Sequence, residues 1–399
     1  MSLHTFRSTS RLLALPVIVA ALISAPVAGS ASPTPSPIDK KAAKIVDTAP
    51  AGEPLEVVVT SRDADGTPVI STIAADTKAK ARAIVAQALG LSKTIGAEMN
   101  HRVSIDAYND TYRSQQWALT ALKAETVHGY TRGSGVTVAV IDTGVRSSHS
   151  DLDGHILSGI DYVAPGTSAN DENGHGTHVA GIITAKYNNS RGIAGMAPSA
   201  RVLPVRVLDR NGSGTSANVA KGILYAATRA KVINLSLGST TNSTAMQTAV
   251  AEAISKNVLV VAAAGNRGCG LFGAPTEYPA AYPGVVGVGA VNQSIQKASF
   301  SSCGSWVDVA APGQSIISTM IQNSVGLGCS SSANYCTISG TSFSAPYVAA
   351  VGALAIARKG WSQSTVASRL ESTATDVSPS GRDTSTGAGF INALKLITS

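Results

Sequence analysis

The sequence is poor in charge, in aromatic rings and in cysteine. Of its 399 residues only 14% are charged and 5% aromatic, and four are cysteine. It has no basic run. Of the formal charge of +7, residues 1–31 carry two Arg and no acid, and residues 32–107 carry nine bases and nine acids; residues 108–399 hold 20 bases against 15 acids, a balance of +5. So mild and dispersed an excess argues against nucleic acid as a partner. There is no Cys-x-x-Cys, which sets aside zinc knuckles and dithiol redox motifs. Beyond residue 31 no apolar run is long enough to cross a bilayer. The chain also shows no repeat, added binding module or anchoring tail, so no membrane partner or tethered form is expected. Disorder is not expected either, since 44% of the residues are apolar.

What is present begins with a secretory signal peptide over residues 1–31. Arg7 and Arg11 flank the apolar run Leu12 to Val27, and the small residues Ala28-Gly-Ser-Ala31 follow. Cleavage is expected between Ala28 and Ser32, with an extracellular destination. An even number of cysteines in an exported chain implies two disulfides. Cys269, Cys303, Cys329 and Cys336 allow three pairings; closing the short loop as Cys329–Cys336, which leaves Cys269–Cys303, is favoured, and sequence alone leaves the others open.

Residues Ser32 to Pro54, with Pro-Thr-Pro-Ser-Pro, read as an extended linker. A small α+β segment follows, with strands expected over Leu55–Ser61 and His101–Asp106 and a helix over Asp76–Leu91. A piece of roughly 70 residues barely supports its own core. It is either a permanent subdomain or a removable pro-segment, and its place after a signal peptide favours the second.

From about Asn109 the texture is strand, glycine-rich turn and alanine-rich helix, repeated. Val136–Ile141 is an unbroken β-branched run of the kind buried on both faces of a parallel sheet. It ends in Asp142-Thr-Gly, where catalytic groups of open α/β sheets collect, although an aspartate there also caps turns. His175-Gly-Thr-His178 opens a helix with two histidines at i and i+3. Metal ligation needs a third ligand that no nearby spacing supplies; general-base work needs one imidazole, an orienting carboxylate and a nucleophile. Gly340-Thr-Ser342 opens a buried helix over residues 342–359, with Pro346 tolerated in the first turn. Ser342 is then either an N-cap or a nucleophile at the positive end of the helix.

Asp142-Thr-Gly, His175-Gly-Thr-His-Val-Ala-Gly and Gly-Thr-Ser342-Phe-Ser-Ala-Pro, in that order, resemble the three signature blocks of the subtilisin-like serine proteases. Phe343-Ser344-Ala345 departs from the commoner Met-Ala-Ser without touching the nucleophile. The resemblance covers about residues 109–399 and implies a doubly wound, mostly parallel α/β sheet flanked by helices. By the same match Ser342 is the nucleophile, His175 the base, Asp142 its orienting carboxylate, His178 structural and Asn266 an oxyanion donor. Gly212-Ser213-Gly214 and Ser236-Leu237-Gly238 resemble the backbone segments that pair with an extended substrate. Ala264 and Gly265 join the pocket walls, and Glu277 stands at a position forming the pocket floor, unless it points to solvent. An acidic floor under apolar walls implies acceptance of both bulky apolar and basic side chains. Pro283, Val285 and Asp308 resemble a structural calcium site; no catalytic metal is implied. Ser362–Ala374 reads as an amphipathic helix, and Gly387–Ala393 resembles the family's terminal turn and helix. The resemblance divides the chain into a signal peptide (1–31), a linker with inhibitory pro-segment (32–107) and a peptidase domain (108–399). It implies a secreted, monomeric, self-processing serine endopeptidase acting on proteins and inhibited by its own pro-segment. The other reading is a catalytically silent peptide-binding relative.

Overall fold

The computed structural model describes residues 36–47, 55–100, 108–270, 273–377 and 379–399. The signal peptide, the cleavage region, Pro33-Thr-Pro35 and the strand expected over His101–Asp106 lie outside the described residues. The chain divides into two compact units, Met1–Ile105 and Asp106–Ser399.

In the first unit, helix α1 (Pro37–Val46) stands where an extended linker was expected. Its start is built locally: Ser36 and Asp39 form a reciprocal capping box and Pro37 takes the first helical position. Ala42 and Val46 then bury against helix α2 (Lys78–Leu89), which offsets the ordering cost. Strand β1 (Leu55–Arg62) lies between β2 (Pro68–Ala75) and β3 (Thr94–Met99), antiparallel to both. β1 was expected. β2 was not, although the Asp63-Ala-Asp-Gly66 turn preceding it is a hairpin signal.

The second unit is built on seven strands: β4 (Thr137–Asp142), β5 (Ile160–Asp161), β6 (Arg201–Arg206), β7 (Val232–Leu235), β8 (Leu259–Ala263), β9 (Val286–Val291) and β10 (Val309–Pro312). Their order is β10-β9-β8-β7-β4-β6-β5 and every pairing is parallel. Strand order turns back at β4, so Asp142, its last residue, stands at a topological switch point. Successive residues feed opposite cores: Val138 and Val140 of β4 face one cluster, Ala139 and Ile141 the other. Helices cover both faces, as the doubly wound expectation requires. α5 (His175–Thr184) and α8 (Thr341–Lys359) lie on the first; α6 (Ser216–Ala226) and α7 (Thr244–Ser255) lie on the second. α3 (Trp117–Ala121), α4 (Ala124–His128), α9 (Gln363–Ser372) and α10 (Ala393–Thr398) add to the α8 side. α9 falls within the helix expected over Ser362–Ala374, whereas α10 begins only at Ala393, the last residue of the expected terminal turn and helix.

An antiparallel pair, β11 (Ile316–Thr319) and β12 (Tyr335–Ile338), packs beside α5. Both favoured disulfides are formed, Cys269–Cys303 and Cys329–Cys336, with Cα separations of 5.3 and 5.9 Å. The α5–β11 contact is close because Ser318 Oγ and Thr319 Oγ1 donate to the α5 carbonyls of His178 and Thr177, each at 2.7 Å. Gly181 permits that approach, since a Cβ there would lie 2.3 Å from both hydroxyl oxygens.

Gly181→Ala should therefore destabilise the fold. The helix-propensity gain is about 1 kcal/mol, whereas overpacking a rigid contact costs about 1–3 kcal/mol and also breaks these two bonds. A lowered thermal midpoint with unchanged far-UV dichroism is the expected result.

Candidate active site

α5 starts close to the end of β4 because residue 176 has no side chain; a Cβ on Gly176 would lie 2.1 Å from the Gly144 carbonyl oxygen. That approach brings His175 to Asp142, with Nδ1 at 2.8 Å from Oδ1 and 3.0 Å from Oδ2. Asp142 is fully buried and also accepts from the Thr143 N–H at 2.7 Å. The His175 side chain keeps 16% exposure. Burial lowers its pKa, but the charge and hydrogen bond of Asp142, with a further contribution from Asp171, outweigh burial and raise it above the ordinary value.

Asp171 was not anticipated. It is buried and accepts five hydrogen bonds, from Thr143 Oγ1, the N–H groups of Asn173, Gly174 and Thr177, and Thr177 Oγ1. It thereby ties the turn before α5 to the turn after β4, and its negative charge sits at the positive end of α5. The signal was an aspartate four residues before the first helical histidine. His178 has a different environment: its Nε2 meets the Cys336 carbonyl at 3.0 Å, and its ring lies 4.5 Å from that of Phe343. Burial pushes its pKa down to about 3, so it stays neutral and structural. Among the described residues no three His, Cys, Asp or Glu side chains are grouped to hold a metal.

Helix α8 begins at Thr341, one residue earlier than expected, so Ser342 is its second residue and not its cap. The capping position is Gly340, which has no side chain to offer. Asn266 does the capping from beyond β8, its Oδ1 accepting from Thr341 N–H at 2.8 Å and Thr341 Oγ1 at 2.9 Å. With the oxygen committed, the amide points Nδ2 outward, 3.5 Å from the Cβ position of Gly340. Ser342 Oγ makes no hydrogen bond to His175 in this structure. The next residue, Phe343, lies against the His175 ring at 5.3 Å between centroids, so the start of α8 packs near the imidazole. Contacts of this kind commonly tighten only when substrate binds.

A cleft of about 730 Å³ adjoins His175, with residues 212–214 on one rim and 236–238 on the other. Asp209 Oδ1 fixes the first rim by accepting from Asn211 and Ser213 N–H. Ala264 is buried, and Gly265 is held by its N–H to Thr341 Oγ1 at 3.2 Å. Glu277 is buried against both walls: a Cβ on Gly238 would lie 2.6 Å from Oε1, and one on Gly265 would lie 3.1 Å from Oε2. Oε2 has no hydrogen-bond partner, and its nearest cation is Arg267 Nε at 3.5 Å. Desolvation raises the Glu277 pKa against the pull of Arg267.

The residues expected to hold calcium do not fit it. Asp308 Oδ2 accepts from Gly287 N–H at 2.9 Å, and Oδ1 is paired with Arg382 Nη2 at 2.8 Å. Arg382 also binds Glu371, so a guanidinium already supplies the positive charge at this carboxylate. We assign no metal to Pro283, Val285 and Asp308.

The subtilase family model matches residues 133–389. Thermitase of Thermoactinomyces vulgaris is 44% identical over 291 residues, covering 72% of this chain and 98% of that protein. Subtilisin E of Bacillus subtilis is 44% identical over 285 residues, 70% of each chain. Among solved structures, a protease from Pseudoalteromonas arctica superposes with a TM-score of 0.66 at 33% identity, covering 73% of this chain and 98% of its own.

A general base at His175 would require the neutral imidazole, and its pKa is raised, so such activity should be lost as pH falls through a midpoint above the ordinary 6.5. The pH profile of kcat/KM checks this. In Asp142→Asn, where burial acts without the opposing charge, the midpoint should move to lower pH and the residual rate should be small.

Proposed function

Because this chain belongs to the subtilase family of serine endopeptidases, we propose that Ser342, His175 and Asp142 form its acyl-transfer triad. Ser342 Oγ attacks the scissile carbonyl while His175 Nε2 takes its proton. Nδ1–H remains on Asp142, which fixes the tautomer and stabilises the imidazolium. The oxyanion is received by Asn266 Nδ2 and the Ser342 N–H, the latter a helix-start donor free of intrahelical duty. His175 then returns the proton to the leaving amine, and water repeats the sequence to release the acid. The observation that carries this reading is the 2.8 Å bond from His175 Nδ1 to a wholly buried Asp142. Asn266, with its oxygen locked by Thr341, supports it independently.

The substrate is read as an extended strand between the rims at 212–214 and 236–238, a main-chain mode that tolerates many sequences. The preceding side chain enters between Gly238 and Gly265 towards Glu277. The walls accept bulky apolar groups, and Oε2, which lacks a hydrogen bond and meets only Arg267 at 3.5 Å, receives a Lys or Arg that reaches it. The unit Met1–Ile105 is read as a leader plus pro-segment that assists folding, inhibits and is cut off by the enzyme itself, near the boundary of the two units. The mature protein is read as a secreted monomer. Calcium is a common structural ligand of subtilases; in this chain the Asp308 carboxylate is already satisfied by Arg382.

Intact mass and N-terminal sequence of the secreted product test the whole reading. Wild type should lose about its first hundred residues, while Ser342→Ala should retain sequence from near Ser32. Identical processing of both would transfer the cutting to another protease, and a silent peptide-binding relative would stand if direct hydrolysis then also failed. For the pocket floor, Glu277→Gln should lower the ratio of Arg to Phe cleavage several-fold; an unchanged ratio removes Glu277 from specificity.

A further inference from the structure

Helix α8 contains a gap in its hydrogen bonding just after its start. Pro346 lies inside the helix, five residues beyond Thr341 and past the turn in which N–H groups go unused. Having no N–H, it cannot bond the carbonyl four residues back, and that carbonyl belongs to Ser342. A buried carbonyl left without a donor is costly, and a residue whose peptide is unanchored drifts.

The missing donor comes from outside the helix. Ser236 Oγ donates to the Ser342 carbonyl at 2.6 Å. Ser236 is 3% exposed and follows directly on β7. Its oxygen accepts from Asn234 Nδ2 at 2.9 Å, so its single proton is committed towards Ser342. Asn234 is fully buried in β7, and its Oδ1 has no partner, so its amide is held in the core through Ser236 alone.

Resting on the reading of Ser342 as nucleophile, we propose that Ser236 is a positioning residue for it. Its hydroxyl replaces the helix bond that Pro346 deletes and fixes the peptide plane leaving the Cα that carries the reactive oxygen. The proline ring crowds the i−4 carbonyl, which keeps this turn open enough for a side chain to enter. The consequence is mechanical. Residues 236–238 form a cleft rim, so the rim and the nucleophile are referenced to the same strand through one hydrogen bond, and not only through the length of α8. Displacements well under 1 Å at a nucleophile alter rates by large factors.

The test is a double-mutant cycle on the matured enzyme with a soluble peptide substrate. Ser236→Ala should lower kcat by about tenfold with KM changed less than about twofold, the pattern of an interaction that matters in the transition state. Pro346→Ala restores an N–H opposite the Ser342 carbonyl, so in that background Ser236→Ala should cost less than about twofold. If Ser236→Ala does not accumulate, Ser236→Cys keeps the shape with a weak donor and should show the same background dependence. Equal losses in both backgrounds, or a lowered thermal midpoint with unchanged kcat, would overturn the positioning role while leaving the nucleophile assignment intact. Activity surviving in Ser342→Ala would overturn that assignment, and the positioning role with it.

Discussion

The buried start of α8 is the constraint on which the rest of the site depends. This helix is apolar around nearly its whole circumference, from Thr341 through Ala355, and packs on β7, β8, β9 and β10. A helix end inside a protein must find partners for groups that water would otherwise satisfy. Here the N-terminal donor of Thr341 goes to Asn266, at the end of β8, and the freed carbonyl of Ser342 goes to Ser236, at the end of β7. The requirement for polar satisfaction thus fastens the start of the helix to the carboxyl ends of two neighbouring strands. The Ser342 N–H, unlike those groups, has no intrahelical duty, and the proposed mechanism gives it to an oxyanion.

The same economy governs the charges. Two carboxylates, Asp142 and Asp171, are buried beneath a single imidazole. Asp171 is surrounded by five donors and serves the turn that carries His175, whereas Asp142 has one backbone donor and the histidine itself. Burial still raises the pKa of Asp171, so its hydrogen bonds offset desolvation only in part. Its negative charge nevertheless adds to that of Asp142 at His175, and the two together reverse the effect of burial on the imidazole. His178, one turn on and without a carboxylate, shows the unopposed effect.

Residues 142, 175 and 342 were legible as candidates because each lies in a short block whose glycines and spacing carry their own reason: a strand end, a close helix approach, a helix start. The parallel sheet was legible from its unbroken β-branched runs. What the sequence hid depended on partners far along the chain or on caps inside a misleading composition. Arg382, 74 residues further along, pairs with the Asp308 carboxylate expected to hold calcium, and no local pattern announces it. Helix α1 forms in a proline-rich stretch because Pro37 occupies the one helical position that suits it. Pro346 was expected to fall harmlessly in the first turn, but it is the sixth residue of α8, so its missing N–H removes the bond to the Ser342 carbonyl, a consequence of i to i−4 counting and not of the exact helix start.

On the proposed reading of Glu277 as pocket floor, specificity follows from how firmly Arg267 holds it. The arginine side chain is 55% exposed and meets Oε2 at 3.5 Å, while the glutamate is 7% exposed. A pair with one solvated member contributes about 0–1 kcal/mol, so Arg267 screens the acid without sealing it. A substrate cation entering between Gly238 and Gly265 reaches the same oxygen from the buried side, where the dielectric is lower and the attraction stronger. An apolar side chain entering the same slot finds a carboxyl that burial already inclines towards its neutral form. In this reading one pocket serves two classes of side chain because its acid is buried, lacks a hydrogen bond at Oε2 and is paired with an exposed arginine.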